Sequence, residues 1–150
     1  MEKIIKQLAF VGVAAAMTLT LGCDIDDLID DSKDDVEESV GFAPSSLDGK
    51  IAVNNIFTGT GDFATTGNST ITFSSNTYII VGDGVNTGND SGTYTYTKTG
   101  ANMATLVGNS SVDGDSNTVT LSFTSPTSGS YSAVKTSGDP GTQTGTFIIN

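Results

Sequence analysis

The chain has 150 residues, a formal charge of -11 and a single cysteine. Set against an apolar start and an acidic stretch, that length leaves room for one domain of roughly 100 residues. Only three lysines and no arginine lie beyond residue 45, too few to neutralise a row of phosphates, so nucleic acid is excluded as a partner. Histidine and tryptophan are absent, which removes the usual general base, and one cysteine cannot form an internal disulfide.

The first segment, residues 1–22, reads as an export signal. Lys3 and Lys6 precede a 14-residue apolar run, Leu8 to Leu21, shorter than the roughly 20 residues that span a hydrocarbon core. It ends in Leu19-Thr20-Leu21-Gly22-Cys23. These residues resemble the lipobox of bacterial lipoproteins, in which small or apolar residues run into Gly-Cys, with Thr20 standing where leucine is commonest. The resemblance implies cleavage between Gly22 and Cys23, thioether lipidation of Cys23, and N-acylation of the new terminus in many bacteria. The membrane, held through lipid on Cys23, is then the first partner, and the cell envelope is the location. The competing reading is an uncleaved short anchor with an incidental cysteine.

Residues 23–45 read as an acidic, disordered tether. Nine acids between Asp24 and Glu38 face only Lys33, and self-repulsion of that block favours an extended state. Ile25, Leu28, Ile29, Val36 and Val40 fall at offsets compatible with a short amphipathic helix, against which aspartate propensity and repelling i,i+4 acids argue. A coil of about 20 residues reaches about 25 Å. Acids directly after a lipidated cysteine resemble two opposite addresses: inner-membrane retention in enterobacterial-type lipoproteins, and surface export in Bacteroidetes-like ones. The membrane and leaflet stay open.

From residue 46 to 150 the composition changes to Thr, Ser, Gly, Asn and β-branched or aromatic residues in short alternating runs, the pattern of an all-β domain. The runs predict eight strands: Lys50 to Thr58, Ser69 to Phe73, Thr77 to Val81, Gly92 to Thr99, Met103 to Val107, Thr118 to Thr124, Gly129 to Lys135 and Gln143 to Ile149. Connections such as Ser74-Ser75-Asn76 and Pro126-Thr127-Ser128 are too short for parallel crossovers, so successive strands are antiparallel neighbours in a meander.

Period-two alternation puts Ile71 and Phe73, Tyr78 and Ile80, Tyr94 and Tyr96, Ala104 and Leu106, Val119, Leu121 and Phe123, Tyr131 and Ala133, and Phe147 and Ile149 on one face, with threonine and serine on the other. This suits an antiparallel up-and-down β-barrel with a Tyr/Phe interior and a hydroxyl-rich outside. The alternative is a two-sheet β-sandwich. Gly92-Thr93-Tyr94, Gly129-Ser130-Tyr131 and Gly145-Thr146-Phe147 read as strand starts, where glycine makes the turn and the aromatic enters the core. Leu47-Asp48-Gly49-Lys50-Ile51, Phe73-Ser74-Ser75-Asn76-Thr77-Tyr78 and Gly92-Thr93-Tyr94 are similar to small bacterial lipocalin-like barrels, with Ile51 where those have tryptophan. That resemblance spans about Leu47 to Phe123 and implies a barrel able to hold an apolar ligand.

The chemistry points away from an enzyme, a resident cofactor or a metal. Asp48, Asp62, Asp83, Asp90, Asp113, Asp115 and Asp139 all sit beside or near glycine, asparagine or proline, positions where aspartate caps its own backbone, and nothing singles out a converging pair. Asp113-Gly114-Asp115-Ser116-Asn117 lacks the bidentate glutamate of a calcium loop and reads as a hairpin turn. Inward Phe73, Tyr78, Tyr94, Tyr96, Phe123 and Tyr131 are the candidate ligand-binding residues, through stacking and hydroxyl hydrogen bonds. Against this stands a filled barrel in which they are core, whose outer surface meets another envelope protein.

Overall fold

Eight alternating runs become eight strands, and the eighth returns to the first. The computed structural model describes residues 41–135 and 137–150. The residues read as an export signal, Gly22 and Cys23, and those read as a tether up to Val40 lie outside the described residues. The strands are β1 (Ile51–Gly59), β2 (Gly67–Ser74), β3 (Thr77–Gly82), β4 (Asp90–Lys98), β5 (Met103–Ser110), β6 (Ser116–Ser125), β7 (Ser128–Lys135) and β8 (Gly141–Ile149). Each pairs antiparallel with the next, and β1 pairs with β8, from Ala52 opposite Ile149 to Gly59 opposite Gln143. The result is a closed barrel, not a sandwich, and closure leaves no free sheet edge to pair with another chain.

Most strands run further than their apolar residues indicate, and chiefly at one end of the barrel. Asp90 and Ser91, Gly108 to Ser110, and Ser116 and Asn117 are laddered, although their residue types read as loop. Their backbones still find partners across the ladder, and that satisfies the peptide groups whatever the side chain.

At the opposite end the interior is packed. Phe73 meets Tyr94 edge-to-face with centroids 5.0 Å apart, and Phe123 meets Phe147 in the same way at 5.1 Å, an arrangement favoured by the ring quadrupoles. Residues 41–50 close this end as a stopper. Leu47 is 1% exposed, Ala43 is buried beside the same cluster, and burying a leucine contributes about 1.5–3 kcal/mol. Ala43 N–H donates to Ala101 O at 3.0 Å, Phe42 N–H to Asn102 Oδ1 at 2.8 Å, and Tyr96 Oη–H to Pro44 O at 2.8 Å. The last residues assigned to the tether, Gly41 to Ser45, therefore sit against the barrel.

The triplet aromatics Tyr94, Tyr131 and Phe147 are buried as expected and Gly129 does stand at the start of β7, but Gly92 and Gly145 lie inside β4 and β8. These glycines and Gly108 are buried and face aromatics in direct register: Tyr78 opposite Gly92, Tyr94 opposite Gly108, Phe123 and Phe147 opposite Gly129, and Tyr131 opposite Gly145. A Cβ at Gly92, Gly129 or Gly145 would stand 2.7–3.0 Å from the side chain of Tyr78, Phe147 or Tyr131, so the missing side chain is what lets these rings fit inside eight strands.

Outside, hydroxyls align across the ladder. Thr97, Thr105, Thr120, Ser132 and Thr144 are successive register partners from β4 to β8. The opposite side is more apolar, with Ile51, Val53, Ile79, Val81 and Ile148 exposed on β1, β3 and β8.

Candidate functional site

Above the packed end the barrel is hollow. A cavity of about 320 Å³, at the lower edge of ordinary small-molecule sites, stands on Leu47, Phe73, Phe147 and Ile149. Its walls include Ile56, Ile71, Ile80, Leu106, Val119 and Leu121, and its rim carries Asp62, Phe63, Thr87, Asp90, Asp113, Asp115 and Lys135. The rim loops are the connections β1–β2, β3–β4 and β5–β6, together with the end of β7.

Of the six expected ligand residues, Phe73, Tyr78 and Tyr131 line this cavity. Tyr94, Tyr96 and Phe123 do not: Tyr94 and Phe123 are buried in the core cluster, with Tyr96 packed against it. Tyr78 Oη donates to Asp90 Oδ2 at 2.7 Å, and Tyr131 Oη to Gln143 Oε1 at 3.1 Å, so both hydroxyls are tied to the wall. Burial pushes the Tyr131 phenol up to about 12. Burial, and then the Asp90 carboxylate, raises that of Tyr78 further.

The rim is built around a lysine. Tyr131, Ala133 and Lys135 share the inward parity of β7, which carries the Lys135 side chain, 6% exposed, to the inner lip of the barrel. Its Nζ lies 2.7 Å from Asp115 Oδ2, 2.8 Å from Asp62 Oδ2 and 3.4 Å from Asp113 Oδ2. Three carboxylates match the three N–H bonds of an ammonium. Hydrogen bonds to Asp115 and Asp62 raise the Lys135 ammonium above its usual value, and Lys135 in turn holds Asp62 below the usual carboxylate value. Asp113 is lowered first by the amide of Asp115 and also by Lys135. Nearby, Asp90 Oδ1 accepts from Ser110 Oγ at 2.6 Å and from Ser91 N–H at 2.7 Å.

The β3–β4 loop is held over the rim by Asp83. Its Oδ1 accepts from the amides of Val85, Asn86 and Thr87 at 3.0–3.1 Å, and its Oδ2 from Asn68 N–H at 3.1 Å. Those amides hold the Asp83 carboxyl well below its usual range. Thr87, 7% exposed, donates from Oγ1 to Asn68 O at 2.7 Å and lines the cavity.

No family model, curated protein or solved structure matches this chain.

Asp62, Asp90, Asp113 and Asp115 do occupy or flank turns, as their neighbours in sequence indicate, yet the barrel brings three of them onto one ammonium. Lys135, Gln143 and Asn117 escaped the sequence reading, although each continues the inward parity of an apolar neighbour: Lys135 from Ala133, Asn117 from Val119, and Gln143 towards Phe147. Among the described residues, no group of three or more His, Cys, Asp or Glu side chains is placed to hold a metal ion. What the arrangement offers is an apolar chamber beneath a charged, hydrogen-bonded rim.

Proposed function

We propose that this chain is a membrane-anchored envelope lipoprotein, lipidated at Cys23, whose barrel binds a small apolar or amphipathic ligand in the manner of lipocalin-like proteins. The observation that carries the binding reading is the cavity of about 320 Å³, apolar at its base and walls and faced by the rings of Phe73, Tyr78 and Tyr131. A filled barrel would have closed this space with side chains, as Phe73 and Tyr94 fill the packed end. The role is binding and not catalysis. The rim carboxylates are engaged by Lys135, by Tyr78 or by backbone amides, which supports a structural part for them.

Native mass spectrometry on the domain released from its own membrane tests the binding reading. An added mass of a few hundred daltons that leaves on activation is the expected result, and a bare mass would argue for an empty or purely structural barrel. Lipidation has a separate test: Cys23→Ser is expected to lose membrane partitioning and to shift in mobility, and unchanged partitioning would overturn that part.

The second reading, a protein-interaction role for the outer wall, is favoured by the exposed Ile51, Val53, Ile79, Val81 and Ile148, all between 40% and 57% exposed. Pull-downs with these residues changed to threonine distinguish it from ligand binding.

A further inference from the structure

The charges of the barrel are segregated along its axis. Of the seven aspartates in the described residues, six (Asp62, Asp83, Asp90, Asp113, Asp115 and Asp139) belong to the rim end, together with Lys135, whereas Asp48, Lys50 and Lys98 belong to the stopper end. The rim end thus carries a formal charge of -5 and the stopper end +1. The cavity lining itself contains four carboxylates and one ammonium, and that ammonium already lies 2.7–3.4 Å from carboxylate oxygens of Asp62, Asp113 and Asp115. Among the described residues, the lining has no other cation for an incoming anion.

We propose, resting on the ligand-binding reading above, that the cavity selects amphiphiles with a positively charged nitrogen head, of the alkylammonium class, and rejects fatty acids and other anionic amphiphiles of the same length. The apolar tail would lie on Phe73, Phe147 and Ile149, and the head would rest at the rim against Asp62 and Asp113. Their side chains are 48% and 52% exposed and so remain open to a second cation. A low-dielectric chamber with one sign of charge at its mouth focuses the field there, which concentrates cations and repels anions before contact. A chamber of about 320 Å³ is at the small end of ligand sites, which suits a short tail with its head at the lip.

The test uses octylammonium, octanol and octanoate as probes on the purified chain at pH 7 and low salt, reading the NMR resonances of the Tyr78 and Tyr131 rings. Octylammonium is expected to bind at least about tenfold more tightly than octanoate, with octanol between them, and the margin is expected to narrow as salt is added. In the double variant Asp62→Asn with Asp113→Asn, which leaves the apolar chamber untouched, the preference is expected to fall severalfold while octanol affinity is retained. Equal binding of all three probes, or tighter octanoate, would overturn the charge selection and leave the cavity reading standing. An unchanged preference in the double variant would overturn the assignment to this rim. If none of the probes moved either tyrosine, the cavity reading itself would fall and this inference with it.

Discussion

Tyr131 on β7 faces Gly145 on β8 in direct register, and a Cβ at position 145 would stand 2.9 Å from the Tyr131 hydroxyl oxygen while colliding with the carbonyl of Asn55. Gly145→Val is therefore expected to displace the ring, break its hydrogen bond to Gln143, and destabilise the barrel by about 1–3 kcal/mol through overpacking. Ser132→Ala, on the outer face of the neighbouring strand, should stay within about 0.5 kcal/mol. Paired urea melts check both, and a neutral Gly145→Val would show that the ring does not depend on the glycine.

Lys135→Met keeps the stem length and removes the charge. The loss is expected to be about 1 kcal/mol or more at pH 7, held down because Asp62 and Asp113 are half exposed and screened. Since Lys135 lowers Asp62 in the folded chain, that contribution is present above the ordinary carboxylate value of 3.8 and disappears as pH falls through the folded value. The stability gap between the parent and Lys135→Met should accordingly close on acidification. Thermal melts from pH 7 down to pH 2 measure it, and a gap that stayed constant would contradict the ion-pair account.

Buried phenols make the barrel sensitive to alkali. Burial raises Tyr96 and Tyr131 from 10.0 to about 12 and raises Tyr78 also, so their contribution is full below pH 10 and is lost as pH climbs through the folded values. Lys135, raised above 10.5, acts in the same direction. Tyrosinate absorbance and circular dichroism should change together above pH 10. Complete ionisation of the tyrosines with the strand signal intact would refute this.

Leu47→Ala removes the head of the stopper. A leucine at 1% exposure makes the expected loss about 2–5 kcal/mol, and the floor of the cavity loses one of its members. Hydrogen exchange at Ala43, Gly49 and Lys50, whose amides fasten this segment, should accelerate more than exchange in β5 or β6. Uniform acceleration over all strands would mean that the stopper is not a separate unit.

The closed meander was legible because hairpin-length connections force antiparallel neighbours and because Tyr78 and Ile80, or Leu121 and Phe123, repeat with period two. The wall residues were legible for the same reason: each inward aromatic named from alternation does point into the barrel. The division of those aromatics between a packed end and a chamber was not, since it depends on the stopper. Ala43 and Leu47 reveal their depth only when the ring has formed around them. The rim was hidden for a related reason. Asp62, Asp113 and Lys135 lie far apart in sequence, each with a sufficient local role, and only closure of the barrel makes them neighbours.

Seven of the eight strand pairings join consecutive strands, whereas the eighth joins Ala52 to Ile149 across nearly the whole domain. Local hairpins can zip in microseconds, but the loop-closure entropy of that last pairing has to be met before any of its contacts form. Strand β8 therefore acts as a latch. A chain that leaves the ribosome N-terminus first cannot shut the ring until β8 has emerged, so the chamber comes into being only when the last strand of the barrel has been made.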